Sequence, residues 1–270
     1  DHTWKYGAGL DMKLSEKRTS IFRVDYSDDV FAAGRISTAL WDNPMKLKDL
    51  GVDLYNANFY QSKKFGASFL YDVSNSLTAK IGLNHENQNA LFDYQYQNLG
   101  NSFKNVSATV SLKFSPNDKN MMTPGGKLTY EKKFPQFFLN YEFGSKIFDG
   151  ELNYHRLDAL AIHQFRSKLG TTTLKFLGGI SSGTAPIWKN FEITGQTDGS
   201  SEKWTSKINT PSTLGFVTMP SGTFYADKFV SLQVSQHLPF RFKTLGKTYS
   251  NIELEYKSAI GNFKNSADHQ

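Results

Sequence analysis

The side chains able to do chemistry are few, and their spacing serves it poorly. The six histidines, His2, His85, His155, His163, His237 and His269, stand far apart. None forms H-x-H, H-E-x-x-H or a short ligand pair, so a hydrolytic metal centre has no scaffold. His155 and His163 are expected on different, neighbouring strands, where proximity would be incidental. Cysteine is absent, which removes disulfides, thiolate metal sites and thiol nucleophiles together. Ser231, Ser235 and His237 share one parity of a predicted strand, the arrangement from which a barrel lipase would draw its nucleophile and base. Residues two apart on one face lie about 7 Å from each other, too far for a direct Ser–His hydrogen bond, and these three read as lumen residues. Asp25, Ser27, Asp28 and Asp29 end a predicted strand. The three carboxylates offer oxygen ligands for Ca²⁺ at a loop, or cap a solvated turn. Pro124-Gly125-Gly126-Lys127 lacks phosphate-loop spacing and reads as a hairpin turn. No catalytic residue, cofactor site or metal centre is predicted.

The elements that carry these residues are strands. From Trp4, one parity holds Trp4, Tyr6, Ala8, Leu10, Met12 and Leu14, and the other holds Lys5, Gly7, Gly9, Asp11 and Lys13. A period of two over that length means an extended strand with one wet face, because a helix would scatter the apolar residues around its circumference. The pattern returns at Phe65–Tyr71, Leu77–Leu83, Val106–Phe114, Phe137–Phe143, Leu152–Tyr154, Leu157–Phe165, Leu174–Ile180, Val230–Leu238 and Ile252–Ile260, with an aromatic ladder at Phe92, Tyr94 and Tyr96. A hydrophilic strand near Arg18–Tyr26 brings the total to roughly a dozen, many near the 9–11 residues that a tilted membrane strand needs. Tight turns at Ser15-Glu16-Lys17, Ser115–Asp118, Phe148-Asp149-Gly150 and Leu169-Gly170 alternate with long loops near 27–63 and 181–228. Short turns at one end and long loops at the other are the arrangement of outer-membrane barrels. The only helix candidate, one or two turns at Pro44–Gly51, lies in a loop.

Composition bounds the same picture. The chain has 270 residues, 14% of them aromatic, with 22 Phe and 13 Tyr, types that favour pleated surfaces. No run approaches the 18 apolar residues of a membrane-spanning helix. Mean hydropathy is −0.48, a value that does not exclude a barrel, whose inward polar residues dilute every strand. The fold expected is therefore an all-β antiparallel transmembrane β-barrel occupying residues 1–270 as one domain. A soluble sandwich, jelly roll or β-helix also alternates. Trp4, Tyr6, Phe69, Tyr71, Tyr94 and Tyr141 are expected at lipid interfaces or acyl chains. Lys113, Glu142, Gln233, Glu255 and the arginines Arg23, Arg156, Arg166 and Arg241 are expected in the lumen. A formal charge of +6 without a basic run excludes no anionic partner and points to no nucleic acid; lipopolysaccharide phosphate is the anion it would meet. The chain opens at Asp1 with no leader and ends in a polar segment rather than an aromatic-terminated strand, so closing strands are expected beyond Gln270.

From Leu112 to Pro124 (LKFSPNDKNMMTP) the chain resembles an uncharacterised family of Bacteroidetes-type outer-membrane barrels that carry a carboxypeptidase-regulatory-like β-sandwich at the N-terminus. The likeness extends through YSDDVFAAGR (Tyr26–Arg35), FPQFFLNYEFGSK (Phe134–Lys146), YHRL (Tyr154–Leu157), GGISSGTAPIW (Gly178–Trp188), Gly215–His237 and GNFKNSADH (Gly261–His269). The resemblance implies a barrel similar to that of the barrel-assembly, or surface-antigen, superfamily, whose lumen loop carries an Arg-Gly-aromatic signature. Residues 181–228 are the counterpart here, and Leu214-Gly215-Phe216 is the nearest match, without the arginine. It also implies that the sandwich lies upstream of Asp1.

The function expected is that of a non-enzymatic protein of the bacterial outer membrane, acting in export, assembly or display of surface material. Its partners would be membrane lipid, lipopolysaccharide and a periplasmic or surface protein, with no cofactor. The alternatives are a passive or gated transporter for a small solute, a soluble β-rich carbohydrate-binding protein, and a barrel lipase.

Overall fold

Most of the period-two runs bracketed by turn residues form strands. The structure is a computed structural model that describes residues 5–36, 58–97, 100–124, 126–193, 215–216, 219, 222–244, 248–264 and 269, the side chains of 241–251 excepted. Strands β1 (Tyr6–Lys13), β2 (Ser20–Ala32), β3 (Phe59–Asp72), β4 (Leu77–Ala90) and β5 (Ser102–Phe114) pair one after another. A side hairpin of β6 (Lys119–Thr123) and β7 (Gly126–Glu131) interrupts the series, which resumes with β8 (Gln136–Ser145), β9 (Asn153–Ser167) and β10 (Gly170–Thr184). The short β11 (Phe191–Glu192) and β12 (Tyr225–Ala226) pair with each other, and β13 (Lys228–Thr244) and β14 (Thr248–Asn262) complete the main sheet. That sheet has ten strands, all antiparallel, in the order β1-β2-β3-β4-β5-β8-β9-β10-β13-β14. Among the described residues β1 and β14 do not pair with each other, so the sheet stays open. No helix among the described residues is long and apolar enough to cross a membrane.

The register sorts the two faces. One row runs Met12, Phe22, Phe69, Ile81, Val110, Tyr141, Leu157 and Ile180 across eight strands. The adjacent row, on the opposite face, runs Asp11, Arg23, Ser68, Gly82, Thr109, Glu142, Arg156 and Ser181. A slip of one residue would exchange these faces, so an alternating sequence fixes the register tightly. The apolar face is the outer one and stays open to the surroundings: Leu83 is 66% exposed, Tyr6 56% and Phe176 53%. The inner face is covered by the chain's own loops. Tyr94, Tyr96, Phe103, Tyr154 and Trp188 form one buried cluster, and Phe138, Leu160, Leu177, Phe191 and Phe229 form another.

Several expectations are corrected. β2 continues to Ala32 and β3 begins at Phe59, so the first long connection spans 33–58, and that between β10 and β13 spans 185–227. Asp25, Asp28 and Asp29 therefore sit inside β2 rather than at its end. Their polar side chains hid strand that continues past the apolar stretch. His155 and His163 share β9, whose fifteen residues absorb what read as two shorter strands. Tyr154 lies on the inner face and is fully buried. Phe92, Tyr94 and Tyr96 belong to no strand; they follow β4, and Tyr94 packs inward against Trp188 rather than at a lipid interface. Trp4, Leu214 and the stretch Pro44–Gly51 lie outside the described residues.

Candidate functional site

Inner-face parity brings Glu86 and Gln88 of β4, Asn105 of β5, Glu142 of β8 and Tyr154 and Arg156 of β9 onto one patch of wall. Register aligns Glu86 with Asn105 and Glu142 with Arg156. Gly144, beside Tyr154 on β8, lacks the Cβ that would meet that ring at 2.1 Å. The bare glycine lets the phenol lie flat along the wall, with its hydroxyl donating to Glu142.

The chain after β10 then turns back onto this patch. Pro186 leads a single 3-10 turn, Ile187–Lys189, whose side chains enter the wall's interior. Trp188 is 2% exposed. Its ring stacks on Tyr60 at 5.0 Å and meets Tyr94 at 5.3 Å and Phe103 at 5.5 Å. The indole N–H donates to Gln88 Oε1 at 2.7 Å, so the ring's one polar atom is satisfied. Lys189, 6% exposed, places its ammonium 2.7 Å from Glu142 and 3.9 Å from Glu86. It also stands 5.4 Å from the centroid of Tyr154. Asn105 bridges the group, its amide 3.2 Å from Tyr154 Oη and 3.4 Å from Glu86. Burial opposes the charge on Lys189, but the Glu142 carboxylate outweighs it and holds the ammonium well above the ordinary lysine value.

Neighbouring contacts fix the same segment. Arg156 donates to the Arg35 carbonyl and lies 4.7 Å over the Phe191 ring. The Glu192 amide donates to the Gly34 carbonyl at 2.9 Å. Below Trp188 and Lys189 the inner face lines a half-open cavity of about 830 Å³. At its other end the β6–β7 hairpin reaches across the wall. Lys127 binds Asp72 at 2.8 Å and Thr78 at 2.9 Å. Its amide donates to Thr19 Oγ1 at 2.8 Å, Asn120 donates to the Asn75 carbonyl at 3.0 Å, and Lys13 donates to the Pro124 carbonyl. A chamber results, with an aromatic plug at the long-loop end and a hairpin at the short-turn end.

Chemically this arrangement is a latch. Both carboxylates are engaged by fixed donors under the Trp188 plug. The sequence-predicted sites do not converge. β2 puts Asp28 on the outer face, 2.6 Å from Gln61 and 3.7 Å from Lys63, while Asp25 and Asp29 point inward. Among the described residues no three His, Asp or Glu side chains are placed to hold a metal ion. Ser231 is buried on the inner face, and His237 faces Glu253 at 3.6 Å. Gly215 is buried and Phe216 half-buried. Glu142, Lys113 and Gln233 are buried on the inner face and Arg23 pairs there with Asp11. Trp188 and Lys189 escaped the sequence reading as site residues. Their one signal was an aromatic–lysine pair inside a Gly/Ser/Thr-rich loop.

Over residues 47–180 the chain is similar to a family described as "Family of unknown function (DUF5686) C-terminal domain". No curated protein matches it.

Proposed function

We propose that this chain forms most of the wall of a bacterial outer-membrane β-barrel with an occluded lumen, a non-enzymatic protein acting in export, assembly or display of surface material. The observation that carries the proposal is the row Met12 to Ile180, apolar on eight successive strands and left open by the fold, backed by a polar row one residue away. Monomeric soluble proteins rarely leave so continuous an apolar face uncovered. Hydrocarbon satisfies it, while the wet inner face accepts arginine and glutamate. The connections fit in part: the turns after β1, β3 and β9 are short and lie at one end, and the long 33–58 and 185–227 connections lie at the other. Pairing of the free edges with further strands would complete the wall. In the same proposal the chain is the barrel part of a longer Bacteroidetes-type protein with a carboxypeptidase-regulatory-like domain, and its partners are lipid, lipopolysaccharide and a periplasmic or surface protein.

The polar chamber of about 830 Å³ favours a second reading, gated passage of a small solute once the plug moves. The primary test concerns the outer face. Val110→Arg should cost about 2–4 kcal/mol in refolding into lipid, and its inner neighbour Thr109→Arg much less. Equal penalties, or a protein that stays monodisperse in buffer without detergent, would sink the membrane assignment.

A further inference from the structure

The chamber's charge is lopsided. Eight basic side chains line it against four acidic ones. Most of the acids are consumed internally: Asp72 by Lys127 and Thr78, and Glu142 and Glu86 by the Lys189 latch. Lys64 of β3 and Lys80 of β4 carry no ion pair among the described residues. Both border the main chamber and the adjoining hollow of about 450 Å³ along β1–β4, together with Arg23 and Asp25. Arg23 is already neutralised by its paired contact with Asp11.

Glycines hold the wall low between the two lysines, where the side chains of Asp25, Asn84 and Thr109 border it. Gly66 and Gly82 occupy inner-face positions on β3 and β4, and the Lys64 chain lies along the wall over Gly66, its Cε 3.1 Å from where a Cβ would stand. Ser68, Thr109 and Ser111 add hydroxyls around the same floor. Two lysines facing the single carboxylate of Asp25, with hydroxyl donors around them, leave a net positive site for negatively charged oxygen.

We infer that this chamber binds a soluble polyanion of the phosphate type, held between Lys64 and Lys80 beneath the latch; this rests on the inner face being a water-filled lumen. Three features select that class. Lysine ammonium groups are point charges that accept phosphate oxygens from many directions, whereas planar carboxylates favour the fork of arginine. A concave site with an excess of one charge concentrates counter-ions more strongly than a flat surface does. Its volume suits a small molecule rather than a polypeptide.

The test titrates the full-length protein in detergent with inorganic pyrophosphate, followed calorimetrically. Saturable binding at low salt should weaken sharply at about 0.5 M salt. The K64Q/K80Q double variant should bind about tenfold more weakly or worse. K63Q, one residue away on the outer face, should bind like the parent. No binding at low salt, an unimpaired double variant, or an equal loss in K63Q would each overturn the inference. If the protein proves soluble without detergent yet binding still follows Lys64 and Lys80, the membrane assignment alone fails. If the lipid-face test succeeds and pyrophosphate does not bind, only this inference fails.

Discussion

Lys189 shows how one side chain can set the state of a loop. A buried ion pair repays its desolvation only when its geometry and remaining hydrogen bonds are good. Here Tyr154, Asn105 and Gln88 supply those bonds. Lys189→Met leaves Glu142 charged, buried and short of its partner, and should destabilise the protein by about 3–5 kcal/mol. Adding Glu142→Leu should recover most of that loss in an unfolding titration, which measures the coupling directly. The pH dependence follows in sign. The Lys189 value is raised above the ordinary 10.5, so the pair's stabilisation is complete below that pH and is lost only as pH climbs through the raised value. The Trp188 signal, taken as the difference from Trp188→Phe, should hold steady through neutral and mildly alkaline solution. A transition near neutral pH would contradict the latch. Parity alone placed Glu142 and Arg156 on the inner side. It was silent on Lys189, because a loop residue has no parity, and its partners lie 47 and 103 positions away in the chain.

At the scale of elements, legibility follows the contrast between faces. β1, and β5 from Val106 onward, could be read residue by residue because apolar and polar positions alternate without a break. β2 and β3 could not be followed to their ends, since Asp28, Asp29, Gln61 and Lys63 make both faces polar there and period two loses its signal. The 92–96 aromatics misled for the opposite reason, alternating in a segment that serves the Trp188 pocket instead of a ladder. The docking of β11 was hidden as well, and it depends on Gly179. A Cβ at that position would stand 2.6 Å from the Phe191 ring and 2.7 Å from Phe229. Gly179→Val should therefore cost about 1–3 kcal/mol through overpacking. It should also expose the 185–227 loop to protease while the outer-face rows stay intact. Unchanged cleavage would show that Phe191 does not anchor the loop.

For the whole molecule, in the proposed barrel, the plug and the hairpin together decide whether the wall surrounds a passage or a sealed chamber. Deleting Ala185–Asp227 from the full-length protein, with β10 and β13 joined by a short turn, should raise its conductance in planar bilayers. A current identical to the parent's would place the barrier at the hairpin or discard the passage altogether. The order of the main sheet carries one more consequence. Apart from two excursions, every strand pairs with its chain neighbour, and the pairs joined by tight turns, such as β1–β2, β3–β4 and β9–β10, close over short stretches of sequence at little entropic cost in assembly. Trp188 and Tyr60 come together across more than a hundred residues. Assembly should therefore run in two kinetic phases, with the sheet laid down early and the indole seated late, so that Trp188 fluorescence times the last step of maturation.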